Sequence, residues 1–371
     1  MKIYFFNNHF ILLFVNFCHL FPGVSSEVCF LSTTKSRSGN SSPASRLQRS
    51  EINSIVSTGD DRMDNIQHQQ QSKRERPRIP VLQYHDKWVA VNKPAGLSVT
   101  RSKNTPRSHY VLSTLLKRQL ARKIYPVHRI DHRTSGVMLF AFDSKTCGLL
   151  HKSLTFAGYE DDDDDGSYSA VENIDKSVIN LEGSSKQYIA LLRGDWKRKF
   201  GDTKSITVTK PLNVKGTEKE AETIFTVLAS YTDNPYSDYC PSACSLVLCS
   251  PKTGRFHQIR RHAQSISFPV IGDNKYGDTK INRFFRERRS LNRLFLHCFS
   301  LTLQPLSTFD AESSDEPIEI IAPLTEDLKS VLQRRDMRYL WQEALEKEPK
   351  LSLEELDERG GTFGRNYSKE L

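Results

Sequence analysis

Asp131 is the one carboxylate in Val127-His128-Arg129-Ile130-Asp131-His132-Arg133-Thr134-Ser135-Gly136, where it lies among two histidines and two arginines. Cations on both sides favour its ionised form, and the apolar run at 137–142 that follows would partly desolvate it. An ionised, oriented and partly desolvated carboxylate is what a nucleophile or a general base requires. The plain alternative is a turn in which Asp131 and Arg133 form a surface ion pair, a contact of little energetic weight. The histidines pose a separate question. His128 and His132 stand four apart and His257 and His262 five apart, a pattern that invites zinc. Zinc needs closed coordination from suitably placed ligands, and the intervening arginines argue against a cation site, so no metal is expected. His128 and His257 are expected to orient loops through hydrogen bonds instead.

Short strand-like runs at 81–84 and 88–91, separated by His85-Asp86-Lys87, predict a hairpin that opens the folded sequence near Pro80. Asn92-Lys93-Pro94-Ala95-Gly96 then breaks it with a tight loop, from which Lys93 would face phosphate or solvent. Ser108 is a candidate cap for a helix whose stripe Val111, Leu112, Leu115, Leu116 and Leu120 belongs to the core. The Asp131 segment leaves through a buried strand, and Asp143 or Ser144 caps a helix carrying Leu149, Leu150 and Leu154. Further strands are expected at 186–194 with Tyr188 on one face, and at 206–208, 221–228, 245–248 and 294–303. The segment Arg255 to His262 is expected to open a helix, and one amphipathic helix carrying Leu328, Val331, Leu332, Leu340 and Trp341 closes the domain. Strands outnumber helices, which predicts one α+β domain built on a mixed, mostly antiparallel sheet flanked by helices and loops.

The net charge of the 371-residue chain is +9, unevenly spread. Nine acids and one base lie between Ala157 and Gly183, so the remainder is strongly basic, as suits a polyanionic partner such as RNA. The acidic stretch at 157–185 is expected to be an exposed insertion. Its Asp161–Asp165 run lacks the alternating ligands of a calcium loop. Seven cysteines without a Cys-x-x-Cys pair indicate free thiols in a reducing compartment, with Cys244 and Cys249 as small core residues. At the start, Lys2 precedes an interrupted apolar stretch too short to span a bilayer, followed by an acid-free, serine- and arginine-containing stretch at 28–50. This order resembles the bipartite presequences of plastids bounded by extra membranes. Residues 1–50 are therefore expected to be a targeting presequence to an organelle, a plastid before a mitochondrion. Cytoplasm or nucleus follows if the segment is not a presequence. Residues 51–79 read as a polar linker, 80–345 as the catalytic domain and 346–371 as a loose tail.

Taken together, three segments resemble the RluA-type pseudouridine synthases: His128-Arg129-Ile130-Asp131 with Thr134-Ser135-Gly136, Lys186-Gln187-Tyr188-Ile189-Ala190, and Gly254-Arg255-Phe256-His257-Gln258-Ile259-Arg260. Asn92-Lys93-Pro94-Ala95-Gly96 and Pro269-Val270-Ile271-Gly272-Asp273 with Tyr276-Gly277 match two more of the family's motifs, all in family order over about 80–325. The resemblance implies a cofactor-free isomerase that detaches uracil from ribose in RNA, turns it and rejoins it through carbon. It implies that Asp131 acts at the sugar, by attack on C1′ or removal of the C2′ proton. Tyr188 would stack on the target base and could help remove the C5 proton, and Arg255 would pair with Asp131. Arg129 matches a residue that holds the flipped base. Lys93, His257, Arg260, Arg261 and Arg286 are expected to contact RNA. His132 stands where an arginine is common, and Ile130 where leucine is. The basic run at 257–262 and the Arg-rich stretch at 282–294 look most like the bacterial tRNA pseudouridine synthase C group. That favours tRNA, with rRNA as the alternative substrate and a non-catalytic RNA-binding protein on the same fold as the rival class. A monomer without a membrane segment in its mature form is expected.

Overall fold

The computed structural model describes residues 77–101, 109–154, 185–231, 243–304 and 316–354. The presequence, the Ser108 cap, nearly all of the linker and of the acidic insertion, and residues 355–371 of the expected tail lie outside these residues. The start of that tail is not loose: the closing helix runs to Lys347, and a 3-10 turn at Pro349–Ser352 buries Leu351. The strands are β1 (Val81–Tyr84), β2 (Trp88–Lys93), β3 (Tyr125–Pro126), β4 (Ser135–Ala141), β5 (Ser185–Arg193), β6 (Ser205–Val208), β7 (Leu212–Val214), β8 (Thr217–Lys219), β9 (Thr223–Tyr231), β10 (Cys244–Pro251), β11 (Leu296–Leu303) and β12 (Ile318–Ile321). The helices are α1 (Leu112–Gln119), α2 (Ser144–Leu154), α3 (Trp196–Phe200), α4 (Gln258–Ser265), α5 (Thr279–Arg289), α6 (Glu326–Leu332) and α7 (Arg338–Lys347). Ten strands form one sheet in the order β1-β2-β4-β11-β5-β10-β9-β6, with β12 on β11 and β3 on β4. Its only parallel pairing among the described strands is β4 with β11, so the sheet is mixed and mostly antiparallel, as expected.

The sheet is covered on both faces, which is why β4 reads as an unbroken apolar run instead of an alternation. Successive residues of β5 divide between those faces, as the two-residue period of a strand requires. Ile189 and Leu191 pack with Phe285 of α5, Leu328 of α6 and Trp341 of α7. Tyr188, Ala190 and Leu192 pack with α2, α3 and Ile259 and Ala263 of α4. This second face carries the chemistry-bearing segments.

Local signals match the elements they predicted. The β1–β2 hairpin forms, and Asp143 caps α2 by accepting from the Thr146 backbone N–H at 2.8 Å. Cys147, Cys244, Cys249 and Cys298 are buried free thiols. The closing helix divides into α6 and α7, because the connection brings Asp336 to the buried Arg289 guanidinium of α5 at 2.6 Å. The β7–β8 hairpin was not expected from the sequence. Its signal is Lys215-Gly216, both in the left-handed region (φ 50° and 93°), as a two-residue hairpin loop demands. Among the described residues no helix is long and apolar enough to cross a membrane.

Candidate active site

Asp131 sits on the loop between β3 and β4, and several contacts fix that loop. Its exit depends on Gly136, whose φ is +114° and whose backbone pairs with Cys298 of β11; any Cβ there would strike the Cys298 backbone. At the entry, the buried His128 ring accepts the Leu139 backbone N–H at Nε2 over 3.2 Å. Burial and the nearby Lys186 and His151 hold His128 well below its ordinary pKa, so it acts as a neutral spacer, the loop-orienting role expected of it. Just past Asp131, the His132 carbonyl accepts from the Gly96 N–H at 2.8 Å and from the Lys93 ammonium at 3.3 Å.

Lys93 departs from its expected role at phosphate. Its side chain is wholly buried, and Nζ donates to the Pro94 and Leu97 carbonyls at 3.0 and 2.8 Å as well as to His132. Two of these bonds brace Lys93's own loop and the third ties that loop to the Asp131 loop, so the side chain is turned away from RNA. Burial and the Arg293 cation push its pKa down to about 7, against the pull of Asp131.

The cation that holds Asp131 comes from α4, 129 residues away in sequence: Arg260 Nη1 lies 3.0 Å from Asp131 Oδ2. The other edge of the same guanidinium grips Asp273, Nε to Oδ2 at 2.7 Å and Nη2 to Oδ1 at 2.9 Å. Asp273 Oδ1 also accepts the Lys275 and Tyr276 backbone N–H groups. Burial alone would raise the Asp273 carboxyl, but these hydrogen bonds outweigh it and hold the group below the usual carboxylate range. The result is a line, Asp131–Arg260–Asp273, in which a fully buried carboxylate fixes the guanidinium and leaves one nitrogen for the reactive carboxylate. Here the structure corrects two assignments. The pairing implied for Arg255 belongs to Arg260, while Arg255 donates its Nε to the Glu220 carbonyl at 3.1 Å. Arg260, expected on RNA, is buried between two carboxylates.

His257 Nε2 stands 3.8 Å from Asp131 Oδ2, and its Nδ1 lies 3.3 Å from the Tyr276 hydroxyl. Burial, with Arg260 and Lys275 against Asp131, lowers its pKa and leaves it neutral at pH 7. Tyr188 lies on β5, paired with Cys249 of β10 and Cys298 of β11. Burial first, then Cys298 and Asp131, raise its phenol well above the ordinary value, so it stays protonated and offers a flat ring face. The Cys298 thiol beside it is pushed up to about 12 by burial and is inert.

Asp131, Tyr188, Arg255, His257 and Arg260 all line one cavity of about 760 Å³. Arg129 is exposed on its wall, as is Phe256, and the β7–β8 hairpin closes one side through Asn213, Val214 and Lys215. Arg261 does not line the cavity; it braces that hairpin by donating to the Asn213 carbonyl at 3.1 Å. Arg286 is exposed on α5, also outside the cavity lining. Sequence reasoning missed Asp273 as a buttress, although its Gly272-Asp273 motif was noted, because a contact across 13 residues and a loop has no local periodicity. Among the described residues no group of three or more His, Cys, Asp or Glu side chains converges as metal ligands would.

The site chemistry calls for a carboxylate reagent beside an aromatic stacking face in a basic surround, and comparison with known proteins points the same way. A family described as RNA pseudouridylate synthase matches residues 87–265. The chain is 32% identical over 221 residues to the tRNA pseudouridine synthase C of Haemophilus ducreyi, covering 59% of this chain and 82% of that protein. It is 34% identical over 229 residues to the Vibrio vulnificus protein of the same name, again 59% and 82%. It is 31% identical over 264 residues to the ribosomal large subunit pseudouridine synthase C of Escherichia coli K12, covering 68% and 69%.

Proposed function

We propose that this chain, which belongs to the RNA pseudouridine synthase family, isomerises a uridine of tRNA, with Asp131 as the group that acts on the ribose. Isomerase action on RNA comes with the family; the tRNA substrate and the residue roles go beyond it. One observation carries that reading: a carboxylate at the edge of a nucleotide-sized cavity, held by a guanidinium that is itself locked by a buried carboxylate. Such a line is costly to bury, and a protein that merely binds RNA gains nothing from it. A reactive carboxylate gains charge and fixed aim. Asp131 meets the sugar at C1′ or C2′, Arg260 keeps it ionised and aimed, and Asp273 keeps Arg260 in place. Tyr188 supplies a protonated ring against the turning uracil. Arg129, exposed beside Asp131, is placed to occupy the space of an extruded base.

The tRNA choice rests on relatives named for tRNA and on the Arg283, Arg286 and Arg288 side chains exposed on α5. The decisive measurement is pseudouridine mapping of tRNA and rRNA from cells lacking the protein, rescued by the wild type or by Asp131→Asn. Loss of a tRNA site restored by the wild type alone is the expected result. Restoration by Asp131→Asn would remove Asp131 from the chemistry, and a lost site confined to rRNA would replace the substrate. The composition of residues 1–50 supports delivery to an organelle, a plastid first. A fluorescent protein fused behind these residues would then enter plastids, and cytosolic fluorescence would discard the presequence.

A further inference from the structure

Phe256 is one of four large apolar side chains left exposed among the described residues, at 58% of its surface, and it stands in the wall of the catalytic cavity. Single exposed aromatics are common and need no function. This one differs in how it is held. The next residue, His257, takes the left-handed conformation (φ 55°), which is uncommon for a residue with a side chain. That twist lays the His257 imidazole against the Phe256 ring, with centroids 3.7 Å apart and planes inclined by 23°. His257 is fixed in turn by Tyr276, edge-on at 5.7 Å, and by its approach to Asp131. The Lys275 ammonium lies 5.8 Å from the Phe256 ring centre. The ring is therefore rigidly backed, presented to solvent and accompanied by a cation.

A flat aromatic face beside a positive charge is the combination that receives a nucleobase and its phosphate without reading base identity. The target uracil belongs at the buried Tyr188, against the reactive carboxylate. Phe256 sits at the exposed rim of the same cavity, within reach of a nucleotide next to the one held at Tyr188. We propose that Phe256, backed by His257, is a stacking platform for the base adjacent to the isomerised uridine, so that target choice depends on a stackable neighbour. This subsite rests on the RNA-isomerase reading above, but it is tested through binding.

The probes are hairpin RNAs whose loop carries one uridine with 2-aminopurine on its 3′ side, on its 5′ side, or with an abasic ribose at either place. Wild-type protein is expected to quench one of the two 2-aminopurine probes and to bind the matching abasic hairpin about 5- to 100-fold more weakly, the range for one stacked base. Phe256→Ala should lose the quench and bind the intact hairpin as weakly as the wild type binds the abasic one. Phe256→Trp should restore both, and Phe256→Leu neither. On unmodified tRNA transcripts the alanine variant should raise KM and leave kcat within a fewfold, because the contact is remote from the reacting base. Unchanged affinity in Phe256→Ala, or leucine performing as well as tryptophan, overturns the platform. Wild-type protein that isomerises tRNA but quenches neither probe also overturns it. Protein that quenches a probe yet makes no pseudouridine in any RNA leaves the platform standing and overturns the isomerase reading.

Discussion

The floor and the rim of the cavity are built on opposite terms. On the floor every charged group has its partner inside the protein: Asp131 has Arg260, Arg260 has Asp273, and the Lys93 ammonium has three carbonyls. On the rim, Arg129 and Phe256 face solvent. A fixed, desolvated floor keeps a reagent aimed and ionised without reorganisation at the moment of reaction. An exposed rim keeps a charge and a ring face within reach of an incoming ligand. The arginines of this chain are therefore not one class, since two neighbours in a single basic segment serve opposite ends. Arg260 is internal machinery and Arg261 supports a hairpin.

Substitutions on the floor should act on turnover and folding, and those on the rim on RNA affinity. The largest effect is expected from Asp131→Asn, with kcat reduced about 10⁴-fold or more while folding and RNA affinity persist. Single-turnover assays on unmodified tRNA would measure it, and a loss confined to KM would move Asp131 to the rim. Next comes Arg260→Met, which strands Asp273 as a buried charge and should cost about 3–5 kcal/mol of stability. In a denaturant series, adding Asp273→Asn to Arg260→Met should recover much of that loss; additive losses would break the line into independent contacts. Lys93→Met removes the ammonium donor of the Pro94 and Leu97 carbonyls and one of the two donors to His132, and should lower stability by about 1–3 kcal/mol, with kcat reduced and RNA affinity unchanged. Weaker RNA binding with normal turnover would return Lys93 to the phosphate role.

The same floor makes a pH prediction. Asp273 is depressed in the folded state, so its contribution is present above its unfolded pKa near 3.8 and is lost as pH falls through the folded value. Wild-type stability should therefore fall in acid below about pH 4, and Asp273→Asn should flatten that part of the curve. Outside the cavity, on α5, Arg286→Ala should leave the melting temperature unchanged. It should weaken RNA binding uniformly across sequences and reduce the salt slope by about one unit if it meets a phosphate. An unchanged slope would take α5 out of the RNA surface. This is the smallest effect on the chemistry and the cleanest test of the division.

Much of the fold was legible because its signals are local. The β1–β2 hairpin, the α1 stripe, the Asp143 cap of α2 and the Tyr188 strand each follow from neighbours in the chain. Misses fell where tertiary contacts override local pattern. The last helix breaks where Asp336 is drawn to Arg289, and β12 is a four-residue edge strand recognisable only by its pairing with β11. The Lys215-Gly216 turn, by contrast, carries a local signal, since glycine suits the positive φ a two-residue hairpin loop needs. Lys93 was misplaced for a physical reason: a lysine in a Pro-Gly loop ordinarily faces water, and nothing nearby in sequence announces the His132 carbonyl.

The α+β class, the family and the three segments that meet at the cavity, with Asp131 and Tyr188 among them, are all readable along the chain. Composition, turn residues and motif order carry such information along the chain. Only the tertiary structure decided which arginine holds Asp131, that Asp273 locks it, that Lys93 is internal, and that Phe256 is left facing the cavity. Those choices depend on which side chains the sheet and α4 bring within hydrogen-bonding distance. At such short range a shift of five positions, from Arg255 to Arg260, exchanges a backbone brace for the partner of the reactive carboxylate.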